Sequence, residues 1–303
     1  MSADGRLLLI VNPSSGSGRG AELLPEVERQ MRARRLEFGT VITTSLEHGI
    51  DEARAAVGRG ETPVVMSGDG LIGQIGGALA TSDATMGIIP GGRGNDLARV
   101  LGIPTEPAEA VALLAQRPIR RIDVGEANGK RFLCIASIGF ESVANKIANE
   151  TTHLRGGLVY FYAGLRTLAT WKAAGFTIRL DGERSLEYEG YSVQVANSRA
   201  FGGGFFIAPN AELDDGLFDV VMVGDSSKLS FLGGMPKAKK GTHLEQEEIS
   251  VERAVEVEVN ADRPFAVYAD GEHLTDLPAR LRVLPGALTL IAPPGKFAGP
   301  DPE

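Results

Sequence analysis

Three glycine-rich segments follow stretches of the chain that are expected to be buried strands. They are residues 12–18 (NPSSGSG), 67–71 (SGDGL) and 90–96 (PGGRGND). Glycine lets backbone N–H groups approach an anion closely, and a helix that starts after such a loop adds the positive end of its dipole. One such loop alone would be interpreted as a tight turn. The three together predict a site for a polyphosphate.

The first of these segments fits neither common nucleotide fingerprint. Gly16, Gly18 and Ala21 have the relaxed spacing of a dinucleotide-binding loop, but the second strand ends in Thr43-Thr44 rather than in an acidic residue. No Gly-Lys pair is followed by Ser or Thr, which excludes a Walker A loop. A Gly-x-Ser-x-Gly elbow and histidines at metal-ligand spacing are also missing from the sequence, which argues against an α/β serine hydrolase and a zinc site.

The elements around the glycine-rich segments alternate between strands and helices. Strands are expected at 7–11, 38–42, 63–66 and 86–89, and helices at 21–35, 50–57, 71–80 and 95–101. This alternation is typical of a parallel sheet that is covered by helices on both faces. Because the carboxyl ends of parallel strands share one edge, the three loops are expected to meet there.

The pattern changes after residue 123. Short strands separated by turn residues are expected at 131–138, 176–180, 189–195, 219–223, 255–259 and 280–284. Val255, Val257 and Val259 alternate with glutamates, as in a sheet with one exposed face. These features predict a second, antiparallel domain. The length of 303 residues favours two domains without excluding one large α/β domain.

One helix interrupts the second half, over residues 157–171. Its apolar residues recur at helical spacing, and the stripe is formed by Leu158, Phe161, Tyr162, Leu165 and Leu168. We expect this stripe to face the core. The alternative is that it forms an apolar lip for a lipid.

Composition limits the functions that the chain could have. Hydrophobic residues make up 43%, and 31 basic against 39 acidic residues give a net charge of −8. No large basic block is present, so nucleic acid is not expected as a partner. Neither a secretory signal nor a membrane-spanning run is found, so we expect the chain to stay in the cytoplasm. The single cysteine, Cys134, is expected to be a buried apolar residue in a strand.

Five motifs, in order along the chain, resemble the diacylglycerol kinase catalytic-domain family, which includes bacterial lipid kinases and sphingosine kinases. They are Asn12-Pro13-x-x-Gly16, Gly68-Asp69-Gly70, the segment 90–99 (PGGRGNDLAR), the segment 202–220 and Asp270-Gly271-Glu272. A lone Gly-Asp-Gly would be weak, since NAD kinases share it. The five motifs extend over nearly the whole chain.

The resemblance implies an α/β protein of two domains. The first is a parallel-sheet α/β nucleotide-binding domain, residues 1–123, to which a C-terminal segment, 287–303, returns with a strand at 287–292. The second is an antiparallel, β-sandwich-like lipid-binding domain, residues 124–286. The bound cofactors would be ATP and Mg²⁺.

The resemblance also assigns candidate residues by position. Nucleotide contacts would come from Asn12, Pro13, Ser14, Ser15, Gly16, Thr43, Thr44, Ser67, Gly68, Asp69, Gly70, Leu71, Ile72, Gly73, Gly92, Arg93, Asn95 and Asp96. Magnesium would be held by Glu212, Asp215 and Leu217, the first and last through backbone carbonyls; hard oxygen ligands suit this ion.

Two acidic positions compete for the role of general base. Glu272, in Asp270-Gly271-Glu272, stands where bacterial members have theirs, and Asp69 stands where sphingosine kinases have theirs. Phosphoryl transfer needs a carboxylate that takes the acceptor proton or organises the metal. Asp69, Asp270 and Glu272 are therefore the candidate catalytic residues.

Three departures from the bacterial pattern leave the acceptor open. Leu71 and Arg93 replace common threonines, and Gln74 replaces a common glutamate. The leading hypothesis is a kinase of a lipid hydroxyl, with diacylglycerol first and a sphingoid base second. Its rivals are a kinase of a soluble acceptor and a sensor that binds without turnover. A lipid acceptor implies peripheral contact with the inner membrane face, and a homodimer is a further expectation.

Overall fold

The computed structural model describes residues 5–151 and 157–299. Its chain divides into two compact units. Unit 1 holds residues 5–124, 213–215 and 284–298, and unit 2 holds the rest of the described residues. No helix within the described ranges is both long and apolar enough to cross a bilayer.

Unit 1 is built from alternating strands and helices. Its elements are β1 (Leu7–Val11), α1 (Arg19–Ala33), β2 (Phe38–Ile42), α2 (Leu46–Gly58), β3 (Thr62–Ser67), α3 (Asp69–Leu79), β4 (Thr85–Pro90), α4 (Asp96–Val100), α5 (Pro107–Gln116) and the first part of β5 (Ile119–Ala127). The strands pair in parallel in the order β2, β1, β3, β4. The last strand of the chain, β15 (Ala279–Ile291), joins this sheet beside β4 with Thr289 opposite Thr85.

The central strands of unit 1 are fully buried. Every residue of β1 is buried, as are all residues of β3 and β4 after the first. Such continuous apolar runs are typical of parallel strands that are covered on both faces. The expected parallel sheet is therefore confirmed.

Unit 2 is antiparallel and contains three longer helices. Its elements are β6 (Lys130–Phe132), β7 (Ile135–Gly139), α6 (Phe140–Glu150), α7 (Gly157–Thr170), β8 (Ala174–Leu180), β9 (Arg184–Ala196), β10 (Phe218–Gly224), α8 (Lys228–Lys240), β11 (Ile249–Ala254), β12 (Glu256–Ala261), β13 (Ala266–Ala269), β14 (Glu272–Asp276) and the first part of β15. The long strand β9 pairs with β8 through its first half and with β7 and β10 through its second half. The interior between the strands is aromatic and β-branched, with Phe132, Phe176 and Phe218 fully buried. The antiparallel, sandwich-like second domain is confirmed.

Four expectations about elements change. One helix was expected in the second half, but unit 2 has α6 and α8 in addition to α7. The segment 131–138 is not one strand, because the chain bends at Leu133 and Cys134 between β6 and β7. Cys134 is buried, as expected, but it lies in this bend. The two strands expected at 280–284 and 287–292 are one continuous strand, β15.

Candidate active site

The three glycine-rich loops of unit 1 meet at the carboxyl edge of its sheet. They follow β1, β3 and β4, whose ends are in register: Val11 lies opposite Met66, and Ser67 opposite Pro90. Parallel pairing therefore brings all three loops together, as the sequence predicts.

Hydrogen bonds tie the loops to one another. The Ser15 hydroxyl donates to the carbonyl oxygen of Gly91 at 3.1 Å, and the backbone N–H of Gly91 donates to the carbonyl oxygen of Ser67 at 2.8 Å. The backbone N–H of Asn12 donates to the carbonyl oxygen of Met66 at 3.2 Å. Each loop is thus fixed by its neighbour, which preorganises the edge for a ligand.

Two of the loops touch through glycine backbones. A Cβ atom added to Gly92 would lie 2.4 Å from the Cα atom of Gly68, and one added to Gly68 would lie 3.1 Å from the Cα atom of Gly92. Neither distance leaves ordinary room for a side chain. This contact requires glycine at position 92 and explains why the second and third motifs are both glycine-rich.

The first loop contains three successive residues in the left-handed region. Their φ angles are 60° at Gly16, 64° at Ser17 and 101° at Gly18. Ser14 is right-handed (φ −85°, ψ −9°), so the backbone changes hand between Ser14 and Gly16, and such a change turns successive N–H groups toward one concave side of the loop. Helix α1 begins directly after it, at Arg19, and adds its dipole. The geometry of this loop fits a phosphate group.

A cation spans the first and third loops. The exposed guanidinium of Arg93 donates a hydrogen bond to the hydroxyl of Ser17 in the first loop. Arginine pairs well with phosphate oxygens because its planar fork offers several donors. Sequence reasoning named Arg93 as a nucleotide contact and placed Ser17 and Gly18 in the first glycine-rich segment without naming them as contacts, because the left-handed backbone of a serine leaves no signal in the sequence.

Asp69 and Asn95 lie where α3 and α4 begin. Asp69 is the first residue of α3, and its Oδ1 atom accepts the backbone N–H of Leu97 at 3.4 Å. The Asn95 side chain folds back on its own loop, with Oδ1 accepting the backbone N–H of Gly92 at 2.9 Å and Nδ2 donating to its carbonyl oxygen at 3.1 Å. Asp96 is buried behind them. The Asn95 side chain therefore shapes the third loop from within.

Other residues expected near the nucleotide have structural contacts. The side chains of Leu71 and Ile72 are buried on α3, and the backbone N–H of Ile72 donates to the carbonyl oxygen of Gly68 at 3.3 Å. Thr43 is buried, and its hydroxyl donates to the carbonyl oxygen of Val11 at 3.1 Å. Thr44 is exposed, and its backbone N–H donates to Nδ1 of His48 at 3.2 Å. Of the two threonines, Thr44 is the accessible one.

In unit 2, the acidic pair of the last motif has two different environments. The carboxylate of Asp270 accepts the backbone N–H groups of Leu133 at 2.8 Å and Cys134 at 3.0 Å. Asp270 and Gly271 form the turn between β13 and β14 with positive φ angles of 53° and 89°. Glu272 follows at the start of β14 with an exposed side chain. The structure thus gives Asp270 a positioning contact and leaves the Glu272 side chain open to solvent.

The residues expected to hold magnesium form no cluster of acidic side chains. The Glu212 carboxylate is paired with the guanidinium of Arg199 at 2.5 Å, whose Nε atom also donates to the carbonyl oxygen of Ala211 at 2.8 Å. Across residues 5–151 and 157–299, no group of three or more His, Cys, Asp or Glu side chains could hold a metal ion. A site made from Asp215 and the backbone carbonyls of Glu212 and Leu217 stays a prediction.

Models of known protein families match both halves of the chain. The model of the diacylglycerol kinase catalytic domain matches residues 6–127, and the model of the YegS C-terminal NAD kinase beta sandwich-like domain matches residues 134–292. The chain is 32% identical over 296 residues to the diacylglycerol kinase of Mycobacterium tuberculosis, covering 95% of this chain and 96% of that protein. It is 28% identical over 296 residues to the diacylglycerol kinase of Bacillus subtilis, covering 96% and 97%.

A Pseudomonas aeruginosa protein called "Probable lipid kinase YegS-like" is 36% identical over 239 residues, covering 77% of each chain. The crystal structure of a diacylglycerol kinase from Bacillus anthracis has the same fold, with a TM-score of 0.74 at 24% identity over 96% of this chain and 97% of that one. The protein therefore belongs to the diacylglycerol kinase catalytic-domain family, and it is an enzyme of the lipid kinase class that uses ATP. The resemblance drawn from the five motifs is confirmed.

Proposed function

We propose that this enzyme transfers the γ-phosphate of ATP to the free hydroxyl of diacylglycerol. The observation that carries the proposal is the convergence of three glycine-rich loops at one edge of the sheet, with Arg93 of the third loop hydrogen-bonded to Ser17 of the first. Backbone N–H groups and one arginine can hold the phosphates without the lysine of a Walker A loop.

Glu272 is the residue that we propose as general base. Its exposed carboxylate can take the proton of the acceptor hydroxyl, while Asp270 holds the turn that carries it. Asp69 is the competing base, and its hydrogen bond to the backbone of Leu97 supports a positioning role instead.

Magnesium is the cation that the chemistry requires, because the β- and γ-phosphates must be neutralised during transfer. Asp69 and Asp96 are the acidic side chains of unit 1 that border the three loops. Asp215 would contribute to the separate structural site expected from the family resemblance.

The proposed acceptor lies in a bilayer, and two helices of unit 2 have the surface to meet one. We expected the stripe of α7 to face the core, which is wrong for three of its residues: Leu158 and Phe161 are each 66% exposed and Leu165 is 44% exposed, whereas Leu168 is buried. On α8, Leu229 is 82% exposed. The helices are joined where the Lys228 ammonium donates to the carbonyl oxygen of Ala169 at 2.8 Å.

These exposed side chains support a membrane-docking surface, which we define as Leu158, Tyr160, Phe161, Leu165, Leu229, Leu232 and Met235. Exposed apolar patches of this kind mark interaction sites. The exposed cations Lys237 and Lys239 stand in the last turn of α8, where anionic lipid headgroups would attract them. The loop 201–206 adds little to this surface, because Phe206 is buried.

A single assay tests the acceptor. Purified enzyme with ATP and Mg²⁺ is given mixed micelles that contain diacylglycerol, sphingosine or ceramide, beside Asp69→Asn and Glu272→Gln variants, and the lipid products are extracted. We expect phosphorylated diacylglycerol with the wild-type chain and none with Glu272→Gln. Binding of ATP without any lipid product would contradict the proposal and favour a soluble acceptor or a sensor. The proposed homodimer is tested separately by sedimentation.

A further inference from the structure

The turn that leads to Glu272 lies at one end of three adjacent strands of unit 2. Strand β7 pairs with β13 on one side and with β9 on the other, and it runs antiparallel to both. The start of β7 therefore lies beside the ends of β13 and β9. Asp270 follows β13, Asn197 follows β9, and the bend at Leu133 and Cys134 precedes β7. The pairing of the strands thus brings two polar residues to the same bend.

The bend is hydrogen-bonded through all of its main-chain polar groups. The Asp270 carboxylate accepts the backbone N–H groups of Leu133 at 2.8 Å and Cys134 at 3.0 Å. The Nδ2 atom of Asn197 donates to the carbonyl oxygen of Leu133 at 2.8 Å. The carbonyl oxygen of Cys134 accepts the backbone N–H groups of Asn197 at 2.9 Å and Ser198 at 3.1 Å. Asp270 and Asn197 therefore hold the bend together, and the bend in turn holds Asp270.

The contact between Asn197 and the bend lies in the interior of unit 2. Leu133 and Asn197 are both 0% exposed, and Cys134 is 4% exposed. A buried carbonyl oxygen that loses its donor stays unpaired unless the structure opens to water, and either result opposes folding. Removal of the Asn197 amide would leave the carbonyl oxygen of Leu133 in this state. We therefore expect the bend to move and the turn at Asp270 to move with it.

A second asparagine reaches the same turn from a helix. Asp270 and Gly271 form a two-residue hairpin loop, because Ala269 on β13 lies opposite Glu272 on β14. Both loop residues are left-handed, with φ angles of 53° and 89°, as an Asp-Gly hairpin requires. In the last turn of α6, Nδ2 of Asn149 donates to the carbonyl oxygen of Gly271 at 3.3 Å. This carbonyl belongs to the peptide group that joins Gly271 to Glu272.

We propose that Asn149 and Asn197 are positioning residues for Glu272. Asn149 holds the peptide group that precedes Glu272, and Asn197 holds the bend to which Asp270 is bound. The role is indirect, since neither side chain supplies a group to the reaction. A general base acts only when its carboxylate lies within hydrogen-bond reach of the acceptor hydroxyl, so the loss of either amide would lower turnover. The inference rests on the proposed function, because it assumes that Glu272 takes the proton of a lipid hydroxyl.

The kinetic test compares Asn149→Ala and Asn197→Ala with dioctanoylglycerol in mixed micelles. The kcat should fall about three- to fivefold in Asn149→Ala, whose hydrogen bond is exposed, and about tenfold in Asn197→Ala, whose hydrogen bond is buried. The KM for ATP and the KM for the lipid should stay within about twofold of the wild-type values. A loss confined to kcat is the expected result when a catalytic carboxylate is displaced and the binding sites are intact.

Two matched variants separate positioning from stability. Ser137→Ala, on β7, removes a hydroxyl that is equally buried and donates to Oε1 of Gln194 at 2.8 Å. It should lower the free energy of unfolding without lowering kcat. Lys146→Ala removes an exposed side chain one turn earlier on the helix of Asn149 and should change neither quantity. If Ser137→Ala lost as much turnover as Asn197→Ala, instability alone would explain the effect and the role of Asn197 would be wrong.

The single cysteine of the chain gives a readout that does not depend on turnover. Cys134 lies in the bend and is buried, so its thiol should react slowly with dithionitrobenzoate. Asn197→Ala should raise the rate of this reaction about tenfold, because the bend opens more often once the carbonyl oxygen of Leu133 is unpaired. Asn149→Ala should keep the wild-type rate, since its hydrogen bond is to Gly271 and not to the bend. Ser137→Ala should keep it as well.

The outcomes separate the positioning role from the function. If the wild-type chain phosphorylates dioctanoylglycerol and Glu272→Gln does not, while both asparagine variants keep the wild-type kcat, the positioning role is wrong and the proposed function stands. If the wild-type chain phosphorylates no acylglycerol, the proposed function fails and the positioning role fails with it. Should Asn197→Ala not fold, Asn149→Ala decides the question, because the Asn149 side chain is exposed and its removal leaves the interior intact.

Discussion

The carboxylate of Asp270 lies 3.0 Å from the backbone nitrogen of Cys134 and accepts its hydrogen bond. Through this contact the turn between β13 and β14 is fixed to the bend between β6 and β7 in unit 2. Glu272 stands two residues further on and keeps an exposed side chain. The two acidic residues of one motif therefore have different environments: Asp270 fixes the turn, and the side chain of Glu272 is open to solvent.

This division predicts opposite results for two conservative variants. Asp270→Asn removes the negative charge that accepts hydrogen bonds from two backbone N–H groups. It should therefore lower the free energy of unfolding by about 2 kcal/mol, as expected for hydrogen bonds to a charged group. Glu272→Gln should leave that free energy within about 0.5 kcal/mol, as for an exposed side chain. It should reduce kcat at least about 100-fold, the usual contribution of a general base. Urea unfolding and the lipid assay measure the two quantities.

The control for this pair is Asp276→Asn, an exposed acidic residue on β14. It should change neither stability nor turnover. If the Glu272→Gln variant were fully active, Glu272 would not be the general base, and Asp69 would be the remaining candidate.

Gly92→Ala should destabilise unit 1. The new Cβ atom would lie 2.4 Å from the Cα atom of Gly68, so one of the two loops must move. We expect a loss of about 1–3 kcal/mol in the free energy of unfolding, together with weaker ATP binding. Gly58→Ala in α2 is the matched control, because a Cβ atom at this position meets nothing within 4 Å. This substitution should leave the free energy of unfolding unchanged or raise it slightly. Equal stability of the two variants would show that the loops do not touch as described.

Arg93→Ala should weaken nucleotide binding. The guanidinium next to Ser17 would pair with phosphate oxygens, and its loss should raise the KM for ATP about tenfold, with a smaller rise for Arg93→Lys, which keeps the charge without the planar fork. Arg29→Ala provides the control, since Arg29 pairs with Glu26 on its own helix. An unchanged KM for ATP in Arg93→Ala would exclude Arg93 from the phosphate site.

Glu141 gives the stability a defined pH dependence. Burial raises its pKa from 4.5 to about 7 in the folded chain, so folding takes up a proton between these values. The wild-type chain should therefore lose up to about 3 kcal/mol relative to Glu141→Gln as the pH rises from 4.5 through 7, because each unit of pKa corresponds to about 1.4 kcal/mol. Urea unfolding of both chains at pH 5 and pH 8 measures this difference. A constant difference between them would show that the carboxyl is ionised throughout.

Strong local patterns predicted the first half of the fold well. The apolar run Leu7–Val11 and the glycines after β3 and β4 indicate buried parallel strands and the loops that follow them. The second half depends on long-range pairing. Nothing local shows that residues 279–291 form one strand that changes partners, from β12 to β4.

For the candidate site, too, the sequence predicts local features but not contacts between residues that are distant in the chain. Glycine motifs located the loops, but the left-handed backbone of Ser17 and the contact between Gly68 and Gly92 depend on neighbours that are distant in sequence. The prediction that the apolar stripe on α7 faces the core was wrong for a related reason. The spacing of Leu158, Phe161 and Leu165 is the same whether the helix covers a core or faces outward.

Strand β15 gives the chain a particular order of assembly. The parallel sheet of unit 1 begins with Leu7 but gains its strand beside β4 only from the end of β15, which follows residues 216–283 of unit 2 in the sequence. During synthesis from the N-terminus, residues 7–90 leave one edge of β4 unpaired until β15 has been made. A nascent chain that stops before β15 would expose that edge to other chains, so truncation within unit 2 would also act on the sheet of unit 1.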